Sequence, residues 1–134
     1  MARDHRRLRV FHEAHGLAIA IYKATQGFPR DEWYGIRAQI RRAAVSVAAN
    51  LVEGNVRRST PEYVNFLNIA RGSAGELAYL IVLASELGYF LPAASRVLSH
   101  SCENLVPQLE SLLQTMVRHA KAEREHLSGP KTRD

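Results

Sequence analysis

The sequence predicts an all-α protein, an antiparallel up-down-up-down four-helix bundle. In four segments, apolar residues recur at helical spacing, and short stretches containing glycine and proline separate these segments. Strand-like alternation of apolar and polar residues appears nowhere. The chain has 134 residues, of which 46% are hydrophobic and 23% are charged, as in an ordinary soluble globular protein. We expect a single domain over residues 1–127 and a disordered tail over residues 128–134.

The first two helices are predicted over residues 10–26 and 31–54. In the first helix, apolar residues recur at helical spacing until a Gly-Phe-Pro turn ends it. The second helix opens with Asp31 and Glu32, because negative charges are favourable at the positive end of a helix dipole. Gly54 is its predicted C-cap.

The third and fourth helices are predicted over residues 60–87 and 92–126. Ser59 and Glu62 have capping-box spacing at the start of the third helix, and a glycine follows its end. Pro107 is expected to kink or break the fourth helix. The fourth helix carries a heptad seam of core residues, which are Leu98, Cys102, Leu105, Leu109, Leu112 and Met116.

The second and third helices are apolar over more of their surface than a single bundle can cover. A surface helix needs an apolar stripe of only about 100°, and both helices exceed it. Gly72 and Gly75 each cost the third helix about 1 kcal/mol relative to alanine, so a closely approaching helix is expected beside them. We therefore expect self-association, with an unusually thick monomer core as the alternative.

The net charge of +5 and the sequence pI near 9.8 are compatible with binding to a polyanion. No RNP-type aromatic motif, zinc finger or glycine-rich phosphate loop accompanies the charge. The candidate phosphate contacts lie at or near the ends of the second helix, and arginine suits phosphate oxygens well. They are Arg37, Arg41, Arg57 and Arg58.

A polar stripe runs along the second helix, and its role stays open between a solvated face, a ligand-binding face and a buried network. In the network interpretation the stripe pairs with polar residues of the third helix and fixes helix register more than stability. Its members would be Arg42, Ser46, Asn50 and Glu53 of the second helix with Arg71, Ser73 and Glu76 of the third.

No catalytic residue, metal site, cofactor or small-molecule substrate is predicted. Glu123 and His126 have the Glu-x-x-His spacing of di-iron bundles, but such sites need two copies and further carboxylates. His12 and His15 suit an adventitious metal at most, and Cys102 is interpreted as a core residue. We expect a non-enzymatic protein.

A cytoplasmic location is expected. The single cysteine fits a reducing compartment. No apolar run approaches the roughly 18 residues of a membrane span, and the arginine-rich start leads into no signal-peptide core.

The sequence also resembles a bacterial family called four-helix bundle proteins, or 23S rRNA intervening-sequence proteins. The resemblance extends from about Leu8 to about Leu113. Its first signature comprises Phe28-Pro29, Gly35-Ile36, Gln39–Ala43, Val45–Val47 and Asn50–Gly54. Its second signature comprises Glu62-Tyr63, Phe66-Leu67, Ala70–Ser73 and Glu76-Leu77.

The resemblance implies a bundle that assembles as a homopentamer, and it implies no reaction or catalytic residue. Some family members are encoded within insertions in 23S ribosomal RNA genes. The fold is similar to that of the accessory protein of diversity-generating retroelements, a basic pentamer. The chain departs from the family pattern at Phe11, where tryptophan is common, and at Ala74 and Gly75, where a larger residue is common.

Two functions therefore stay open. The first is a homo-oligomeric binding module for RNA, another nucleic acid or a nucleoprotein, in which several copies multiply weak phosphate contacts. The second is a structural or adaptor protein that binds a protein partner through its apolar surface, without nucleic acid.

Overall fold

The computed structural model describes residues 5–129, which form four α-helices and one short 3₁₀ helix, with no strand among them. The prediction of an all-α, four-helix fold is confirmed. The helices are α1 (His5–Ala24), α2 (Ile36–Asn55), α3 (Thr60–Glu86) and α4 (Pro92–Leu127), and the 3₁₀ helix spans Arg30–Glu32.

All four helices contribute to one hydrophobic core. α1 packs against α2 and α4, and α3 packs against the same two helices. Ile21, Ile40, Leu77 and Leu109, one from each helix, are 0% exposed. All six residues of the heptad seam predicted for α4 are buried. Burying such side chains contributes roughly 1.5–3 kcal/mol each, so the seam is a major source of stability.

Two helix starts differ from the prediction. α1 begins at His5, because arginines in its first turns contact α4: Arg6 donates to Thr115, and Arg9 donates to Gln108. α2 begins at Ile36 rather than at residue 31. The two acidic residues expected to open α2 lie in the 3₁₀ helix instead, and three turn residues separate that helix from α2.

Gly54 is not a C-cap, contrary to the prediction. α2 continues through Asn55, and Gly54 is buried inside the helix. A Cβ atom at Gly54 would lie 2.8 Å from Cδ1 of Tyr63 and 3.1 Å from Cβ of Phe66. The glycine is therefore needed because α3 approaches the backbone of α2 closely at this point.

The ends of α3 follow the sequence prediction. Ser59 Oγ accepts a hydrogen bond from the backbone N–H of Glu62 at 3.3 Å, which caps the N-terminus. Gly88 has a φ of +79° after the last turn. The N–H of Gly88 bonds to Ser85, and that of Tyr89 bonds to Ala84, which is the pattern of a Schellman motif.

α4 runs without a break through Pro107, so the expected interruption does not occur. Proline lacks the N–H that would donate to the preceding turn, yet this exposed position tolerates the loss. Met116 is the last buried residue of α4, and its final turns extend beyond the core. Most of the tail predicted to be disordered, residues 130–134, lies outside the described residues.

Contrary to the expectation from the sequence, one described helix, α3, is long and apolar enough to cross a membrane by length and composition. The core helix of a soluble protein meets the same criteria. Leu67, Leu77 and Ile81 of α3 are fully buried against the other helices. Packing inside the protein accounts for the apolar character of α3 at these positions.

Candidate nucleic-acid interface

The four candidate phosphate-binding arginines do not form one patch, because they lie at opposite ends of α2. Arg37 and Arg41 are in its first turns, and Arg57 and Arg58 follow its last residue. Twenty helical residues at 1.5 Å each separate the two pairs by about 30 Å. The two ends of α2 are therefore separate surfaces.

Arg41 is held by contacts within the chain. Its Nε donates to Thr25 Oγ1 at 2.8 Å, and its Nη2 donates to the carbonyl oxygen of Tyr22 at 3.1 Å. The guanidinium also lies over the Tyr22 ring, 4.4 Å from its centroid. Two of its three nitrogens are thus committed to the last turn of α1, where free carbonyls need donors.

Arg37 occupies a different environment. Its guanidinium lies 4.4 Å from the centroid of the Trp33 ring, and that of Arg30 lies 5.1 Å from the same ring. Tyr34, which follows Trp33 in the chain, is 94% exposed. We call Arg30, Trp33, Tyr34 and Arg37 the arginine–tryptophan cluster.

At the other end of α2, two arginines stack on aromatic rings that meet at Gly54. Arg57 lies 4.7 Å from the centroid of Phe66, and Arg7 of α1 lies 4.0 Å from the centroid of Tyr63. Arg57 also forms an exposed ion pair with Glu53 at 2.7 Å. The aromatic side chains therefore fix the positions of two guanidinium groups from different helices.

The last turns of α4 add further positive charge beside these arginines. Thr60 Oγ1 donates to Glu123 at 2.8 Å, which places the start of α3 next to the end of α4. Arg6 donates to Thr115 of α4 at 3.4 Å. We call the resulting surface the basic end; its cationic residues are Arg6, Arg7, Arg57, Arg58, Arg118, Lys121 and Arg124.

The acidic residues of the basic end are mostly engaged. Glu53 pairs with Arg57, Glu123 accepts from Thr60, and Glu125 lies 4.0 Å from Lys121. Arg58 is exposed and forms no ion pair or side-chain hydrogen bond within residues 5–129. Several cationic groups are therefore available to an external anion.

Part of the expected polar network forms between α2 and α3. The hydroxyl groups of Ser46 and Ser73 are hydrogen-bonded at 2.7 Å across the two helices. Asn50 Nδ2 donates to the Ser46 carbonyl at 2.8 Å and to its Oγ at 3.1 Å. Gln39 donates to Glu76 at 3.3 Å. These polar side chains fix the register of the two helices where they meet.

The charged members of the expected network lie outside this cluster. Glu53 pairs with Arg57 on its own helix. Arg71 donates to Glu110 of α4 at 2.9 Å and to Asn68. Arg42 is exposed. Within residues 5–129 no ion pair joins α2 to α3. The polar stripe is therefore hydrogen-bonded where α2 meets α3 and solvated beside that contact.

Two apolar grooves lie on opposite sides of the protein. One, of about 560 Å³, runs between α1 and α2 and is lined by residues such as Phe11, Ile19 and Val52. The other, of about 380 Å³, runs between α3 and α4 and includes Val82 and Val106. Because α1 and α3 each pack against α2 and α4, the two grooves face away from each other.

The groups considered for catalysis and metal binding are dispersed. Among residues 5–129, no three His, Cys, Asp or Glu side chains come together in a way that could hold a metal ion. Cys102 is 3% exposed, and burial raises the pKa of its thiol to about 11. His15 stacks on the Phe11 ring, with centroids 5.9 Å apart.

Sequence reasoning missed two groups of residues. Arg6 and Arg7 belong to the arginine-rich start that precedes the first predicted helix, and extending the periodicity of that helix backwards would have included them. Trp33 and Tyr34 were overlooked inside the predicted second helix. The available signal of an exposed corner was a pair of adjacent aromatic residues between two arginines, directly before a glycine and a few residues after a proline.

Comparison with known proteins identifies relatives of this fold. A family model described as 23S rRNA-intervening sequence protein matches residues 6–111. A crystal structure of a protein of unknown function from the S23 ribosomal protein family of Bacteroides thetaiotaomicron is similar, with a TM-score of 0.75 and 21% sequence identity. The match covers 81% of this chain and 98% of that chain, and it supports the fold alone. No curated protein matches the chain.

Proposed function

We propose that this chain, which belongs to the 23S rRNA-intervening sequence protein family, is a non-enzymatic, homo-oligomeric bundle that binds RNA. The observation that carries the proposal is the basic end, where Arg7, Arg57 and Arg58 are brought together from two parts of the chain. Phosphate groups of RNA are the ligands that such a surface suits.

The proposed bundle is antiparallel, in an up-down-up-down arrangement. Support comes from contacts between neighbouring helices, whose residue numbers run in opposite directions. Along α1 and α4, Arg6 contacts Thr115, whereas Glu13 contacts Gln108. The same reversal holds for α2 with α3 and for α3 with α4. This arrangement brings the start of α1 and the end of α4 to the basic end.

The guanidinium groups of the basic end suit phosphate as an external ligand. A guanidinium group presents planar N–H donors that match two phosphate oxygens at once. Stacking on Tyr63 and Phe66 holds Arg7 and Arg57 in place, so less side-chain freedom is lost on binding. Arg58 is free of competing contacts within the described residues.

Self-association would multiply these contacts. Two unlike apolar grooves on opposite sides of one protomer suit a head-to-tail contact, in which one face of each copy meets the other face of the next. Such contacts form a closed ring when the rotation between neighbouring copies divides a full turn evenly, and the family resemblance implies five copies. Five copies would carry a formal charge of about +25, which strengthens salt-dependent binding to RNA.

Gly72 and Gly75 give further support to self-association. A Cβ atom at either position would meet nothing within 4 Å, so no part of the described chain explains their presence in α3. Tyr79 and Val82, on the same helix, are 62% and 49% exposed. A neighbouring copy that packs on this face would account for both observations. We place this oligomer in the cytoplasm, where a lone cysteine stays reduced.

The experiment that tests RNA binding compares two matched charge reversals. Arg58→Glu alters the basic end, and Arg96→Glu alters an exposed arginine at the start of α4 by the same charge. Fluorescence anisotropy with a labelled RNA stem-loop at low salt should show at least a tenfold weaker affinity for Arg58→Glu only. Adding Arg57→Glu should weaken binding further. An absence of binding at low salt, or equal losses for Arg58→Glu and Arg96→Glu, would contradict the proposal.

The second candidate function, binding of a protein partner, is favoured by the same apolar grooves. The two functions differ in what covers these grooves. If the protein is monomeric at micromolar concentration and indifferent to RNA, the grooves stay open to a protein partner, and the adaptor function becomes the better explanation.

A further inference from the structure

The arginine–tryptophan cluster lies at the corner between the 3₁₀ helix and α2. Trp33 is anchored there, because its Nε1 donates to the carbonyl oxygen of Phe28 at 3.2 Å. Arg30 and Arg37 both lie over the anchored ring, with centroid distances of 5.1 and 4.4 Å. Tyr34 projects beside them and is 94% exposed. The corner thus combines two fixed guanidinium groups with one almost fully exposed aromatic ring.

The hydrogen-bonding edges of these two arginines are available. Within residues 5–129, neither Arg30 nor Arg37 forms an ion pair or a side-chain hydrogen bond. By contrast, Arg71 uses two nitrogens on Glu110 and Asn68. A guanidinium group held through its face by an aromatic ring keeps its N–H groups free for a ligand.

Within residues 5–129, neither acidic residue of the corner forms an ion pair with the two arginines. Glu32 accepts a hydrogen bond from the Tyr89 hydroxyl at 2.9 Å. Its Oε1 also lies 2.6 Å from where a Cβ atom on Gly35 would be, so the carboxylate packs against the backbone. Asp31, which follows Arg30 in the chain, is exposed. The two arginines and two acidic residues of the corner balance in formal charge, and the two guanidinium groups keep their N–H groups open to a ligand because neither carboxylate is bonded to them.

We propose that the arginine–tryptophan cluster binds a single-stranded segment of RNA. One unpaired base stacks on Tyr34, and the adjoining phosphates accept hydrogen bonds from Arg30 and Arg37. A base inside a double helix does not offer its face to a protein side chain, so stacking on Tyr34 selects unpaired nucleotides. This inference rests on the proposed RNA-binding function and adds the class of RNA and a second contact site.

The site is separate from the basic end. About 30 Å of α2 lies between Arg37 and Arg57, so a substitution at one end leaves the other unchanged. Trp33 is the only tryptophan in the chain. Its fluorescence therefore reports on this corner alone, whichever other surface an RNA also contacts.

The test titrates a short oligouridylate into the full-length protein and records the Trp33 emission together with the anisotropy of the labelled oligonucleotide. Inorganic polyphosphate serves as a polyanion without bases. We expect saturable quenching by oligouridylate. Tyr34→Ala should weaken binding about tenfold, the size of one base–aromatic stacking interaction, and Tyr34→Phe should restore it. Neither variant should change polyphosphate binding, and both should fold because the side chain is exposed.

A charge variant tests the arginines in the same assay. Arg37→Gln should weaken oligouridylate binding several-fold, and the exposed Arg96→Gln should leave it unchanged. Oligouridylate that binds without altering Trp33 emission, or that binds Tyr34→Ala as well as the parent protein, overturns this inference. If a stem-loop RNA still binds and still depends on Arg58 in that case, the proposed function stands without it. Failure of both RNAs to bind overturns both.

Discussion

Arg41 Nε donates to Thr25 Oγ1 at 2.8 Å, and this bond ties the first turns of α2 to the end of α1. Thr25 is 0% exposed, and its own hydroxyl donates to the carbonyl oxygen of Ile21 at 2.7 Å. Arg41, which the sequence suggests as a candidate phosphate contact, therefore helps to hold α1 and α2 together. Its neighbour in the chain, Arg42, is exposed and has no such role.

Replacing Arg41 with alanine should destabilise the protein by about 1–2 kcal/mol, because a buried hydroxyl loses a charged donor and the α1 carbonyl loses its partner. Urea denaturation measures the free energy of unfolding. Arg42→Ala is the matched control and should change it by no more than about 0.5 kcal/mol. Equal effects of the two substitutions would contradict the assignment of Arg41 to the framework.

Gly54→Ala should destabilise the protein by about 1–3 kcal/mol, since the added methyl group would meet the Tyr63 ring at 2.8 Å. Gly16→Ala in α1 is the control within the chain, because a Cβ atom there meets nothing within 4 Å and the position lies outside the proposed subunit contact. It should raise stability by up to about 1 kcal/mol through helix propensity. If both variants unfolded at the same urea concentration as the parent, the close approach of α3 to Gly54 would be wrong.

Glu53→Ala should change the free energy of unfolding by less than about 0.5 kcal/mol. Its ion pair with Arg57 is an exposed contact one helical turn apart, with side chains 53% and 38% exposed. A buried partner, as in the network interpretation of the sequence, would instead make the loss several kcal/mol. Thermal or urea denaturation separates these two results.

Cys102 should react slowly with a thiol reagent in the native protein at pH 8 and quickly after unfolding in urea. Burial raises the pKa of the thiol to about 11, and only the thiolate reacts. The same shift lowers stability as the pH rises from about 9 towards 11, because the unfolded chain loses the thiol proton first. Rapid modification in the absence of urea would show that the seam of α4 opens at Cys102.

Periodicity and end signals predicted the elements whose cause is local. The heptad seam of α4 is buried as expected. Ser59 caps the start of α3 and Gly88 follows its end, both as expected. The start of α2 was misplaced because Asp31 and Glu32 favour the first turn of any helix, and a 3₁₀ helix satisfies them equally well.

Features that depend on a contact between residues far apart in the chain could not be predicted from the sequence. Nothing local distinguishes a glycine that caps α2 from one that lies against Tyr63 of the next helix. The same holds for Arg57, whose position depends on the ring of Phe66, and for Arg71, whose partner Glu110 lies on α4. The sequence therefore names candidate arginines, but only the structure shows which side chains surround them.

Light scattering after size-exclusion chromatography at low salt tests whether the protein is an oligomer that binds RNA. A homopentamer of 15.0 kDa chains has a mass of about 75 kDa. We predict this mass for the protein alone, an increase when a structured RNA is added, and a return to the original mass at high salt. A 15.0 kDa monomer, or an oligomer whose mass is unchanged by RNA at low salt, would contradict the claim.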